Sequence, residues 1–313
     1  MRHDQLPSAA TTYQGRPLPR PDEDLVDQGL GFDLRTMWDR RQVLQVLGLG
    51  AATVGLAACT RNVVTEPATS PSAAAATTEI PDETAGPYPG DGSNGPDVLD
   101  QSGVVRSDIR SSFDGASGTA EGVPLTLELT LTDLAGGGTP FAGVAVYVWH
   151  CDREGRYSMY SEGITDQNYL RGVQLADDAG TVSFTTIFPG CYTGRWPHIH
   201  FEVYPDEASI TDAAMVIATS QVALPQDVCD AVYAEPGYED SIDNLASTSL
   251  DTDNVFGDDR AELQLATVTG DTASGYTATL PVGIDTNTTP TGGQLDGDGQ
   301  PSGAPVPPSG RPS

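Results

Sequence analysis

Two histidines one residue apart, His198 and His200, are the residues in this chain whose spacing most directly suggests chemistry. In an extended strand residues i and i+2 project from the same face, so His198-Ile199-His200 aims two imidazoles at one point, where they can chelate a single metal ion. Only 4 histidines occur in 313 residues, and two of them are this pair. Tyr192 and Arg195 stand just upstream, behind the turn signal Pro189-Gly190. A second stretch, from Trp149 to Ser158, closes a strand and contains Gly155, a turn residue able to aim Tyr157 inward. His150, out of phase with Trp149, reads as a structural histidine.

The elements that must position these groups show an apolar period of two. Leu125, Leu127, Leu129 and Leu131 alternate with Thr126, Glu128, Thr130 and Thr132, which marks a half-buried strand. Val144, Val146 and Val148 alternate with Ala145, Tyr147 and Trp149, and Ile199, Phe201 and Val203 with His198, His200, Glu202 and Tyr204. Shorter strands are expected at 181–184, 215–222, 261–268 and 276–280, and short helices at 226–234 and 241–245. Many short strands separated by Gly-rich turns imply an all-β fold, an antiparallel β-sandwich with few short helices.

Composition sets the boundaries. Residues 60–78 are rich in Ala, Thr, Ser and Pro, and 285–313 in Gly, Pro, Thr and Asp; neither can bury enough apolar surface to fold. The folded domain is therefore expected at 79–284, between a disordered tether (59–78) and a disordered tail (285–313). Residues 1–58 read as a signal region. Arg40-Arg41 precedes an apolar run from Val46 to Ala58, too short to span a bilayer and closed by Leu56-Ala57-Ala58-Cys59. This order suits twin-arginine export followed by lipidation of Cys59, which anchors the chain on the outer side of the cytoplasmic membrane. A net charge of −29, with every basic residue an arginine, argues against nucleic acid or an anionic membrane surface as partner. Of the other cysteines, none forms a C-x-x-C pair; one disulfide and one free thiol is the simplest arithmetic for an oxidising compartment, with Cys191–Cys229 the expected pair.

Read together, these pieces resemble the intradiol ring-cleaving dioxygenases. In order, they are Gly86-Pro87-Tyr88; the segment from Val105 to Arg110; the Trp149–Ser158 motif; Arg171-Gly172; the stretch from Asp178 to Gly190; Arg195-x-x-His198-x-His200; and Thr219-Ser220-Gln221. The resemblance implies one Fe(III) per chain, with Tyr157, Tyr192, His198 and His200 as ligands. It implies that Tyr192 yields its place to substrate, that Arg195 lies over the substrate, and that Gln221 supports the site. Anionic phenolate oxygens suit hard Fe(III), although affinity order alone leaves Cu(II) open. The implied reaction cleaves a catechol-type diol with O2, between its hydroxyl-bearing carbons, to a muconate-type diacid. The alternative is a surface lipoprotein of the same fold that binds aromatics or carbohydrate without catalysis. Two features depart from the family. Only two residues separate Tyr192 from Arg195, and the chain beyond Gln221, including Tyr233, Tyr238, Phe256 and the acidic run 251–259, matches nothing obvious and reads as surface or lid packing. Oligomeric state stays open, with a dimer compatible.

Overall fold

The computed structural model describes residues 75–291, together with Thr12–Tyr13 and Arg16–Pro17. The chain divides into two compact units, 1–68 and 69–313. In the first, β1 (Thr12–Tyr13) and β2 (Arg16–Pro17) pair antiparallel. The twin-arginine pair, the apolar run, Cys59 and the tail beyond residue 291 lie outside the described residues.

The second unit is a two-sheet sandwich. One sheet contains β3 (Pro124–Asp133), β4 (Thr139–Pro140), β7 (Thr181–Ile187), β10 (Thr267–Asp271) and β11 (Gly275–Ile284). The other runs in the order β6 (Arg171–Leu175), β5 (Ala145–Trp149), β8 (His198–Tyr204), β9 (Ala218–Ala223). All pairs are antiparallel except β11 on β3, which is parallel. Two short helices follow β9: α1 (Gln226–Val232) and α2 (Glu239–Ala246).

Periodicity explains the core. Leu125, Leu127, Leu129 and Leu131 are at most 1% exposed and pack with Val144, Val146, Val148, Ile199, Phe201 and Val203 between the sheets. Each such side chain contributes about 1.5–3 kcal/mol on leaving water. In β5 and β8 the opposite face is buried as well. Ala145, Tyr147, Trp149 and Tyr204 belong to a second apolar cluster with Ala85, Val98, Leu99, Val104 and Tyr157. The segment ahead of β3 thus covers the outer face of the second sheet, toward which the alternate residues of β8 point. Buried Arg171 holds this cover down, donating to Tyr88 O (2.9 Å), Pro89 O (2.6 Å), Tyr147 Oη (3.0 Å) and Ser158 O (3.0 Å).

Several sequence expectations need adjusting. Met215 lies in a 3-10 turn (Ala213–Met215), capped by Asp212, and the strand begins only at Ala218. Residues 261–266 make a turn held by Gln264 N and Leu265 N on Ala261 O, so that strand starts at Thr267. Residues 285–291 are described and folded back, with Thr288 bonded to Glu79. The expected Cys191–Cys229 disulfide is not formed: Cys151, Cys191 and Cys229 are all buried free thiols. Each thiol faces a backbone carbonyl instead, Cys191 that of Arg195 (3.4 Å), Cys229 that of Leu224 (4.0 Å) and Cys151 that of Gly190 (3.4 Å).

Candidate metal centre

His198 and His200 stand on the outer face of β8, and the extended backbone brings their Nε2 atoms to 3.1 Å. His198 Nδ1 lies 2.5 Å from Trp196 O, which places its proton on Nδ1 and leaves a lone pair on Nε2. His200 stacks on Trp149, the residue paired with it across β5 and β8, with centroids 4.8 Å apart and planes 5° from parallel. Its Nδ1 is buried without a hydrogen-bond partner among the described residues.

Tyr157 arrives from the turn after β5. Asp152 organises that turn: its Oδ1 accepts from Glu154 N (3.1 Å) and Arg156 N (2.9 Å), while Oδ2 pairs with the Arg156 guanidinium (2.8 Å). Gly155 has φ +80°, and a Cβ on it would stand 3.1 Å from Tyr192 Cβ, so both backbone conformation and proximity require glycine. Tyr192 enters from the turn after β7. Its Oη lies 3.3 Å from His198 Nε2 and 3.5 Å from Tyr157 Oη. Two phenol oxygens and two imidazole nitrogens therefore form one chain of contacts. Tyr157 is 2% exposed, whereas Tyr192 is half-buried beside exposed Thr193 and Gly194.

Arg195 and Gln221 join this group. Arg195 Nη2 donates to Gln221 Oε1 (2.7 Å), and Gln221, opposite His200 in the β8–β9 register, donates to Thr84 O (2.9 Å). His150 stays apart, its ring nitrogens facing Cys151 O (2.8 Å) and Thr186 Oγ1 (2.7 Å). Sequence reasoning placed Tyr88 in a motif but gave it no role at the site; its ring packs on Tyr157 at 5.0 Å. It missed the contribution from beyond β9. Asn244 donates to Cys191 O (2.8 Å), Ser241 Oγ accepts from Cys191 N (2.9 Å), and Asp253 accepts from Arg195 Nε (3.0 Å). These partners lie 50 or more residues from Cys191 and Arg195, and no local spacing announces them.

The donor set fits a hard, highly charged metal ion. Burial pushes the Tyr192 phenol up to about 12, opposed by Arg195, and raises the Tyr157 phenol well above its ordinary value. Both phenols thus remain protonated unless a strong cation is present to ionise them. Burial lowers His198 to about 3 and His200 well below its ordinary value, so the imidazoles stay neutral, the form that binds metal. Among the described residues no three His, Cys, Asp or Glu side chains cluster to hold a metal. The mixed phenol–imidazole set is the candidate.

Residues 94–208, which include both tyrosines, both histidines and Arg195, match the Dioxygenase_C family model, described as a dioxygenase. Over 119 residues the chain is 38% identical to chlorocatechol 1,2-dioxygenase of Rhodococcus opacus, a match covering 31% of this chain and 45% of that protein. The chain thus spans under half the length of that curated relative. In structure it is similar to an intradiol ring-cleavage dioxygenase from Tetranychus urticae, at 22% identity and TM-score 0.53, covering 67% of this chain and 95% of the other. A second solved dioxygenase gives 23% identity and TM-score 0.54, covering 67% and 96%. These neighbours share the sandwich fold, and the stretch that carries the two tyrosines, the two histidines and Arg195 is the part of the chain that matches the dioxygenase family model.

Proposed function

We propose that this protein is an Fe(III)-dependent intradiol dioxygenase that cleaves a catechol-type diol with O2 to a muconate-type diacid. The observation that carries the proposal is the convergence of Tyr157 Oη, Tyr192 Oη, His198 Nε2 and His200 Nε2, each within 3.5 Å of the next, beside a guanidinium. Fe(III) held there supplies the charge that ionises the phenols and draws electron density from a bound catechol, so that its ring can combine with O2.

The chain's own residues do the rest. Tyr157, buried and packed under Tyr88, would be the fixed donor. Tyr192, nearer solvent, would be the donor more easily exchanged for substrate. Burial favours its neutral phenol, so Tyr192 Oη is a suitable acceptor for a catechol proton as it leaves. Gln221 holds Arg195 toward the site, where the guanidinium stabilises negative charge developing on the ring. Both oxygen atoms of O2 enter the product and no external reductant is required.

The test is a visible absorption spectrum of the purified chain with metal analysis on the same sample. A tyrosinate-to-Fe(III) band that shifts on adding catechol, and that His200→Ala abolishes, is expected. A protein that binds no iron and stays colourless on loading is instead the non-catalytic binding module, and copper in the analysis would reassign the metal.

We further propose that the chain is exported by the twin-arginine route and anchored through a lipid on Cys59, because Arg40-Arg41, the apolar run and Leu56-Ala57-Ala58-Cys59 occur in that order. No helix among the described residues is long and apolar enough to cross a membrane. Cys59→Ser should move the protein from the membrane to the soluble fraction; unchanged fractionation would refute lipidation there.

A further inference from the structure

The acidic run 251–259 holds a residue that does not behave as surface charge. Asp253 is 1% exposed, and both its oxygens are fully engaged. Oδ2 accepts from Arg195 Nε (3.0 Å) and from Trp196 N (2.6 Å). Oδ1 accepts from Val255 N (2.8 Å) and Phe256 N (3.0 Å). A buried carboxylate costs several kcal/mol to desolvate and persists only with such partners. Here one partner is the cation of the candidate site.

We infer that Asp253 is a positioning residue for ring cleavage: it fixes the direction of Arg195 and couples that guanidinium to the wall formed by Phe256. This inference rests on the proposed dioxygenase activity. Three observations support it. First, Thr193-Gly194 alone separates Tyr192 from Arg195, so the local turn is too short to build a seat for the guanidinium, and residues from far along the chain supply one. Second, Asp253 takes Nε and Gln221 takes Nη2, while Nη1 has no protein partner among the described residues. The guanidinium is thus held along one edge with Nη1 left for an anionic oxygen of a ligand. Third, the N–H groups that Oδ1 accepts belong to the turn carrying Phe256, whose ring lies 5.8 Å from Arg195 Cζ and 6.4 Å from the His198 ring. One carboxylate therefore ties cation, wall and ligand strand together.

The pair also sets the local charge. With Asp253 ionised, its charge offsets part of that of Arg195 and fixes the direction in which the guanidinium meets developing negative charge. Replacing Asp253 with Asn leaves Arg195 charged but loosely held. An anionic diol should then bind as well or better while turning over more slowly, a split that general damage to the fold would not give.

The test uses the full iron-loaded chain. Asp253→Asn is expected to lower kcat at least about tenfold while catechol affinity, from the shift of the visible band, stays within about threefold or tightens. Adding Asp253→Asn to Arg195→Gln should cost little more than Arg195→Gln alone, because both act through one group. A kcat within about twofold of the parent, affinity falling in step with kcat, or losses that multiply in the double variant would overturn the inference. A readout independent of activity is solvent exchange of the Arg195 Nε–H in the metal-free parent, followed by NMR. Protection is expected; exchange as fast as in a free arginine would overturn the inference even if Asp253→Asn fails to fold. A parent chain with neither charge-transfer band nor turnover would sink the proposed function, while the exchange measurement would still judge the seat.

Discussion

At the residue scale, Gly155 shows how a single atom constrains the site. Its φ of +80° and the 3.1 Å separation between a built Cβ and Tyr192 Cβ mean that alanine there strains the backbone and pushes on a candidate ligand. Gly155→Ala is expected to destabilise the domain by about 1–3 kcal/mol and to weaken iron retention. Urea melts with metal analysis would check this; a variant as stable and as well loaded as the parent would show that the turn has slack. The tyrosine and histidine positions were legible in the sequence because strand phase and ordered motifs fix them. Asp253 was not legible: a buried Asp amid exposed ones differs only in what folds against it.

At the element scale, α2 emerges as part of the site. It grips both sides of Cys191, the residue before Tyr192: Ser241 Oγ takes its N–H and Asn244 Nδ2 gives to its carbonyl, while Asn244 Oδ1 accepts from Thr193 Oγ1 (3.1 Å). Tyr238, the residue ahead of the helix, fastens it to the sandwich by donating to Phe188 O (2.8 Å) and accepting from Val123 N (3.0 Å). Asn244→Ala should cost about 1–2 kcal/mol and loosen the 191–194 turn, read as faster loss of iron to a chelator with unchanged far-ultraviolet circular dichroism. Chelation kinetics equal to the parent's would show that the turn is held without α2. The strands were readable from their period of two. The role of the helices was not, because eight residues of α2 carry no local mark of which loop they will meet.

At the scale of the molecule, buried ionisable groups set the pH dependence of the metal-free domain. Burial, helped by Asp91, raises fully buried Glu202 from 4.5 to about 8. The folded state then keeps a proton that the unfolded chain has released, so this contribution is complete below about pH 4.5 and is lost as pH rises through 8. His150 has the opposite slope. Burial lowers it from 6.5 to about 4, so its contribution is complete above pH 6.5 and is lost as pH falls toward 4. Between 4.5 and 6.5 the two oppose each other, and above 6.5 the carboxyl dominates. Glu202→Gln should therefore flatten the decline between pH 6.5 and 8, by about 2 kcal/mol at most. Urea titrations of parent and variant at both pH values would decide; parallel losses would place the titration elsewhere.

The sequence by itself determined the sandwich and its main strands and singled out the phenol and imidazole side chains that the fold brings together, because alternation along a strand and a two-residue histidine spacing are local properties of the chain. Tertiary structure alone decided the state of the cysteines, the parallel placement of β11 on β3 and the surroundings of Arg195. Each of these depends on groups far apart in sequence arriving at one place, and burial then gives a carboxylate such as Asp253 the partners and the role that its exposed neighbours lack.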